Sequence, residues 1–333
     1  MEFLTKNIRR VILLLGMSFS LPLPYVSAQL LPLMLNNRDN LEFFNPAMPA
    51  YPLMWEKNYG NDFANTIVGL SSRRQWTNFG SDAPWTNYFR ASHKFHPEFK
   101  RRKDDFLWLS TFFMADKTGP ASLNTFGINA SYHMNISDDT YLSAGLSLRY
   151  SNNNLKRDDI ILSDSNDEGL ANFNPQGFLN SGMGIFLNNR KFYLGVSIPN
   201  TVLFNNNIDG LGLLSDHIYG ALGAYFSLSR QLYLEPSIWV RRAENLTAIN
   251  SIPFFYDLGF KVTVTPRGLL GKGNRIQRKL WAGVGYDASK AARAEAGLLY
   301  DKFSFNFIYN YYLSSTTSNF GSGLELGINL FFE

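Results

Sequence analysis

Thr125-Phe126-Gly127-Ile128-Asn129-Ala130-Ser131-Tyr132-His133-Met134 alternates apolar and polar residues without a break. A few polar residues follow, Asn135 to Asp139, and the alternation resumes through Leu142-Ser143-Ala144-Gly145-Leu146-Ser147-Leu148-Arg149-Tyr150. Successive strand residues point to opposite sides, so this hairpin has one apolar wall and one wall of glycine, hydroxyls, amides and charge. Each arm is about 10 residues, the length a tilted strand needs to cross the hydrocarbon of a bilayer. A soluble sandwich shows the same alternation over one hairpin, so the weight rests on its recurrence to the end of the chain.

The pattern recurs near 63–75, 85–95, 105–116, 123–134, 139–150, 180–188, 191–199, 216–227, 231–241, 253–265, 279–287, 292–300, 303–312 and 321–332. These are fourteen segments, an even number, as bacterial single-chain barrels have. In the last, Leu324, Leu326, Ile328, Leu330 and Phe332 oppose Gly323, Glu325, Gly327 and Asn329. The spacing therefore predicts an all-β fold, a transmembrane outer-membrane β-barrel of about 14 antiparallel strands over residues 63–333. Aromatics make up 15% of the chain while mean hydropathy is slightly negative. Lipid-facing and lumen-facing residues cancel in any averaging window, so a barrel has this composition.

Ahead of the barrel, Lys6, Arg9 and Arg10 precede the apolar run Val11–Leu21, and Val26-Ser27-Ala28 stand before Gln29. A basic head, a short apolar centre and small residues predict a signal peptide over residues 1–28, directing export to the bacterial outer membrane. No later stretch holds the roughly 18 apolar residues of a spanning helix. The chain has no cysteine, which excludes disulfides and a lipoprotein anchor. Formal charge is +4, and it falls to +2 once Glu2, Lys6, Arg9 and Arg10 leave with the signal peptide. That is too mild to point to a nucleic-acid partner. Residues 29–62 carry Pro32, Pro46, Pro49 and Pro52 and read as an irregular arm, placed in the periplasm or in the barrel mouth.

Short connections at Asn135–Asp139, Asn188–Arg190, Leu228–Arg230 and Asp301–Lys302 are predicted on the periplasmic side. Long ones at Ser151–Leu179, Asn200–Ser215, Arg242–Ile252 and Leu313–Phe320 are predicted outside. Two periplasmic connections break the rule. One carries Lys100, Arg101, Arg102 and Lys103; the other, Pro266 to Arg278, carries Arg267, Lys272, Arg275 and Arg278 with no acid. Length and one sign of charge mark them as candidate docking surfaces, with lipid headgroup binding or plain solubility as the competing reading. The largest outer loop instead gathers Asp158, Asp159, Asp164, Asp167 and Glu168 against Lys156 and Arg157.

Asn45-Pro46-Ala47, Arg74-Gln75-Trp76, Gly80 and Ala83-Pro84 open an ordered set of short motifs. Asp116-Lys117-Thr118-Gly119, Phe192-Tyr193-Leu194-Gly195-Val196-Ser197-Ile198-Pro199, Pro236-Ser237, Trp281-Ala282-Gly283 and Gly321-Ser322 continue it. With this set the chain resembles the PorP/SprF family of type IX secretion system outer-membrane proteins. The sequence departs from the family pattern at Met48-Pro49, at Gly323 and after Tyr309-Asn310-Tyr311. The resemblance implies a non-enzymatic barrel without cofactor that anchors or hands over exported proteins. It also implies partners in the translocon, a periplasmic ring or lipoproteins, and in some members a part in gliding. The alternative from another class is a diffusion channel or small-solute transporter.

Three further features bear on chemistry. Ser131 and His133 are two apart on one strand and share the lumen side, whereas a barrel lipid hydrolase needs such a pair facing lipid and a third orienting group. Packing or lumen hydrogen bonding is the favoured reading. Asp164, Asn166, Glu168 and Gly169 resemble half of an EF-hand loop, but Pro175 stands where the bidentate acid belongs. His93, His96 and His217 lack metal-ligand company, and His93 and His96 fall on opposite strand faces. Trp76 is expected in the aromatic girdle and Arg74 on the lumen wall, while the Trp76–Thr86 loop, with its Gly, Pro and Trp, is left open as a contact for a partner or exported protein.

Overall fold

The computed structural model describes residues 40–49, 64–96, 105–137, 140–156, 176–204, 217–229, 231–243, 254–265, 278–313 and 318–332. Its strands are β1 Thr66–Arg74, β2 Trp85–Phe95, β3 Phe106–Thr118, β4 Ala121–Ser137, β5 Thr140–Leu155, β6 Gln176–Asn188 and β7 Phe192–Phe204. They continue with β8 His217–Ala224, β9 Leu232–Ala243, β10 Phe254–Val264, β11 Arg278–Asp287, β12 Ala291–Tyr300, β13 Phe303–Tyr312 and β14 Gly323–Phe332. β8 breaks at Tyr225 and resumes at Phe226–Ser227, both pieces pairing with β9.

Every strand pairs antiparallel with its sequence neighbours, and β1 pairs with β14 from Thr66↔Phe332 to Arg74↔Leu324. The sheet is thus a closed fourteen-stranded barrel. Closure satisfies every strand edge, which hydrocarbon requires because it offers no hydrogen-bond partner.

The phase matches the sequence pattern. Phe126, Ile128, Leu146, Leu148 and Tyr150 face outward, and Thr125, Asn129, Ser131, His133, Ser143, Ser147 and Arg149 are buried on the lumen side. Outward aromatics line up across four strands, Phe89 beside Phe113, Phe113 beside Phe126 and Phe126 beside Tyr150. Such rows form the aromatic girdle of membrane barrels.

Strand lengths differ from the expected ten. β4 has 17 residues and β5 has 16, while β11 to β14 have ten each. The stretches Ser151–Leu155, Gln176–Leu179 and Asn200–Phe204, expected in loops, belong to strands. Above the hydrocarbon both faces of a strand meet water, so the apolar–polar alternation fades while the ladder persists, as where Asn124 pairs with Asn152. Connections at the rim where β1 begins and β14 ends include the tight turns after β4, β6 and β12. The opposite rim is not uniformly long-looped, since Gly119-Pro120 and Ala288–Lys290 are tight. Gly119 has φ 55°, which a turn this short requires.

Inside, an apolar group of Ala64, Ile67, Phe106, Trp108, Leu299 and Phe331 closes over the rim that carries the barrel's ends. Elsewhere the lumen wall mixes aromatic groups with buried polar and charged side chains. Arg293 grips Asp257 with both guanidinium arms, and Lys261 Nζ lies 3.1 Å from Glu295.

The outward phase of β14 sets a test. Leu326 is 40% exposed towards lipid, whereas Ser304 opposite Asn329 is a buried lumen hydroxyl that accepts from the Asn329 amide. Leu326→Arg is expected to lower stability by roughly 2–4 kcal/mol. Ser304→Ala, which removes one hydrogen bond, should cost about 1 kcal/mol. Urea unfolding in lipid vesicles measures both, and equal effects would refute the phase.

Candidate functional site: an arm seated in the lumen

Residues 40–49 of the N-terminal arm enter the barrel. Leu41–Phe44 form a single helical turn, opened by a bond from the Phe43 N–H to the Asn40 carbonyl at 3.0 Å. Pro46 then stops the helix, because it has no N–H and its ring disfavours helix in the residue before it. Asn45 makes the exit turn: its side-chain oxygen accepts from the Ala47 N–H at 2.9 Å, and its carbonyl accepts from the Met48 N–H at 3.0 Å. Asparagine before proline suits this turn.

Glu42 lies at the centre and is 1% exposed. Ser92 Oγ donates to its carboxylate at 3.0 Å, Trp108 Nε1 donates at 3.1 Å, and the Arg90 guanidinium stands 3.6 Å away. Arg90 also donates to Asn329 Oδ1 at 2.8 Å, crossing over Gly69 of β1 to reach β14. One buried acid on the arm is therefore tied to β2, β3 and, through Arg90, the closing seam.

Arm carbonyls are satisfied one after another by the wall. Asn129 Nδ2 donates to the Glu42 carbonyl at 3.1 Å, Arg149 to that of Phe43 at 2.6 Å and Ser197 to that of Phe44 at 2.7 Å. The Arg149 guanidinium also lies over the Phe43 and Phe112 rings, 4.9 and 5.3 Å from their centroids. Phe43 meets Tyr88 and Phe112 edge-on, and Phe44 packs on Tyr219. Ala47 and Met48 pack with Phe186, Tyr193 and Ala221. At the other end Asn40 donates to Glu325 at 3.3 Å.

The wall makes room for this turn with glycine. A Cβ on Gly145 would overlap the carbonyl of Pro46, and one on Gly184 would overlap Asn45 Oδ1. Asn45 Nδ2 donates to the carbonyls of Ile185 and Val196 at 3.2 and 3.4 Å, beside Gly195. Asn45, Pro46, Ala47 and Gly195, 150 positions apart in the chain, thus meet at one place. Pro199 lies further along β7, its carbonyl against Gly182.

Arg74, Gln75, Trp76 and Pro84 gather at the opposite rim. The Gln75 N–H donates to the Pro84 carbonyl at 2.9 Å, closing the β1–β2 connection. Two expectations are corrected here. Arg74 is exposed and bonds the Gly80 carbonyl, while its neighbour Arg73 faces the lumen, because β1 keeps strict alternation to its end. Trp76 is not a girdle residue. It sits after the strand at φ 55°, with its ring 5.5 Å from Phe320 and 6.2 Å from Phe79. Asn78 Nδ2 donates to the Asn319 carbonyl at 3.0 Å, so the β1–β2 and β13–β14 connections form one cap.

Ser131 and His133 face the lumen together, as expected. Ser131 Oγ is 2.8 Å from His133 Nε2, Ser143 Oγ is 2.6 Å from Nδ1, and the imidazole stacks on Phe106 at 4.3 Å. Both ring nitrogens are engaged by hydroxyls, and the pair is 2% and 1% exposed. His93 faces outward against Thr66, and His96 approaches the Asp105 carbonyl. Lys100, Arg101, Arg102, Lys103, Arg267, Lys272 and Arg275 lie outside the described residues, as do residues 1–28 and the acidic loop with its half EF-hand pattern. Arg278 is the first residue of β11 rather than part of the connection, with its guanidinium over the Tyr300 ring.

Glu42, Arg90, Trp108 and Arg149 escaped sequence reasoning. An arm Glu and wall arginines are equally consistent with a water-filled lumen, and their partners are far apart in sequence.

A closed antiparallel barrel with a girdle and an apolar outer face defines an outer-membrane β-barrel protein. Over 88% of its length the chain is similar to a TodX deltaS2 mutant, a monoaromatic hydrocarbon channel, at 9% identity, covering 94% of that chain with a TM-score of 0.50. It is also similar to a Pseudomonas aeruginosa FadL homologue at 11% identity, covering 89% of this chain and 95% of that one with a TM-score of 0.45. These likenesses concern the fold alone. No curated protein matches the sequence. The family described as "Type IX secretion system membrane protein PorP/SprF" matches residues 61–329, and the chain belongs to it.

Removing the Glu42 carboxylate leaves Arg90 buried without its acid. Glu42→Ala is expected to destabilise by about 3–5 kcal/mol. Glu42→Gln keeps an acceptor for Trp108 or Ser92 but also removes the charge that Arg90 faces, so it should recover only about 1 kcal/mol of that loss. The urea midpoints of the two variants are compared with wild type; a Glu42→Gln midpoint equal to that of wild type would deny the carboxylate its central place.

Proposed function

We propose that this protein is a non-enzymatic outer-membrane component of a type IX secretion apparatus, anchoring or handing over exported proteins by protein–protein contact. Family membership supports the apparatus, and the seated arm carries the choice of mechanism. A diffusion channel needs a continuous wet path. Here Asn40–Pro49 lie across the lumen and bond to β2, β3, β4, β6, β7 and β14. The buried, mutually hydrogen-bonded Ser131–His133–Ser143 chain on the lumen wall supports a packing role for those groups.

Docking falls to the surface. On this reading residues 1–28 direct export and are removed, and the rim carrying the barrel's ends faces the periplasm. The connections with Lys100–Lys103 and with Arg267, Lys272 and Arg275, which join β2 to β3 and β10 to β11, then belong to the side of a periplasmic ring or lipoprotein. Several like charges engaged at once give an attachment that weakens as salt rises. Where members serve gliding, the same attachment would hold an adhesin's machinery.

Reversing Lys100, Arg101, Arg102 and Lys103 to Glu should leave the barrel folded and reduce both partner recovery and export. Co-purification at low and high salt, wild type beside variant, reads this out. Undiminished partner yield from the reversed barrel would remove the docking role. A change in membrane placement alone would assign the charges to anionic headgroups. Planar-bilayer recording of the wild type is expected to show little steady conductance; a large constant conductance would favour the channel.

A further inference from the structure

The arm behaves chemically as a ligand of the wall. It adds no strand, and the barrel closes through β1 and β14 without it. Its contacts are side chain to main chain or side chain to side chain, between residues 50 to 285 positions apart. The wall recognises it feature by feature: a cationic and hydrogen-bonding pocket for an acid, an aromatic pocket for two rings, and a glycine floor for a prolyl turn.

We propose that the lumenal face of β2 to β8 is a peptide-binding site, and that Asn40–Pro49 is its tethered, exchangeable occupant. The ligand class is a short segment with an acid, two aromatics and an Asn-Pro-small turn, in that order. Arg90, Ser92 and Trp108 read the acid. Tyr88, Phe112 and Tyr219 hold the rings. Gly145, Gly184 and the Ile185 and Val196 carbonyls read the turn.

Two properties make the occupant exchangeable rather than a fixed core. None of the described arm residues, Asn40–Pro49, is held by a sheet ladder, so their release breaks separate bonds and no strand pairing. The vacated wall would expose Arg90, Arg149, Ser92, Asn129 and Ser197, groups that water solvates readily. On this inference the lumen opens when the arm leaves, onto a wall of these polar groups and the aromatic pocket, and is shut while the arm is seated. The inference stands independently of the export role.

The chain has no cysteine, which allows a clean test in the full-length protein. Ala47→Cys and, separately, Met48→Cys place a thiol at fully buried arm positions. An impermeant maleimide should label each slowly. Saturating synthetic peptide of the sequence Asn40–Pro49 should displace the arm and speed labelling about tenfold, and the same peptide with Asn45→Ala, lacking the turn and its two wall bonds, should do so about tenfold less well. Rapid labelling before any peptide is added would show that the arm is not seated. Labelling that stays slow at saturating peptide with both cysteines would show that it is a permanent part of the core. Gly145→Ala supplies a second arm of the test: the added methyl meets the Pro46 backbone, so this variant should label fast without peptide and conduct in a planar bilayer. If it labels as slowly as its parent, the glycine floor does not read the turn.

Discussion

A membrane offers no water to an unpaired backbone, so a sheet within it has to close or fail. Here closure is the pairing of β1 with β14, and the geometry over that seam explains much of the interior. Gly69 of β1 carries no side chain, and Arg90 of β2 reaches across it to Asn329 of β14. A buried guanidinium at the seam needs an anion, since an unpaired buried charge costs several kcal/mol. The wall does not supply one at that place; the arm does, through Glu42. Sealing the barrel and seating the arm are therefore linked by one side chain.

The outer wall was legible in the sequence because one solvent judged one face. Lipid tolerates Phe126, Ile128, Leu146, Leu148, Leu326 and Ile328 and little else, so the period of two survives in every span. The fourteen segments follow from it. The lumen is judged by less uniform surroundings. Arg149 would suit a wet channel as well as it suits Phe43, and nothing local distinguishes the two. Asn45-Pro46-Ala47 stood out only through the family resemblance, and its place opposite Gly184 and Gly195 needed the fold. Strand ends above the bilayer were lost for a related reason: Asn152-Asn153-Asn154 keep the ladder but not the alternation.

The cap at the opposite rim follows the same logic of side chains filling what the sheet leaves open. Adjacency to a strand predicts wall positions for Arg74 and Trp76. The strand ends at Arg74, however, and Trp76 takes positive φ to turn inward on Phe320. An indole there spends its area on a second connection instead of lipid. The two connections it joins flank β14 and β1, so the cap lies over the seam that Arg90 spans from within.

An interior filled by a tethered segment differs physically from one filled by wall side chains. Wall side chains have their backbones fixed by the ladder and lose only rotamer freedom when they pack. The described arm residues have no ladder, so their backbone order is maintained by the bonds to Glu42, the carbonyls of Phe43 and Phe44, and the Asn45 turn. Fixing roughly ten residues costs on the order of 10–20 kcal/mol of conformational entropy. Burial of Phe43, Phe44 and Met48 with these bonds has to offset that cost. Opposing terms of this size nearly cancel, so the net hold is sensitive to a single acid or a single methyl. The strand ladder is complete without the arm, so the lumen can open while the sheet stays paired, and Arg90 is the side chain that couples the seam to the occupant.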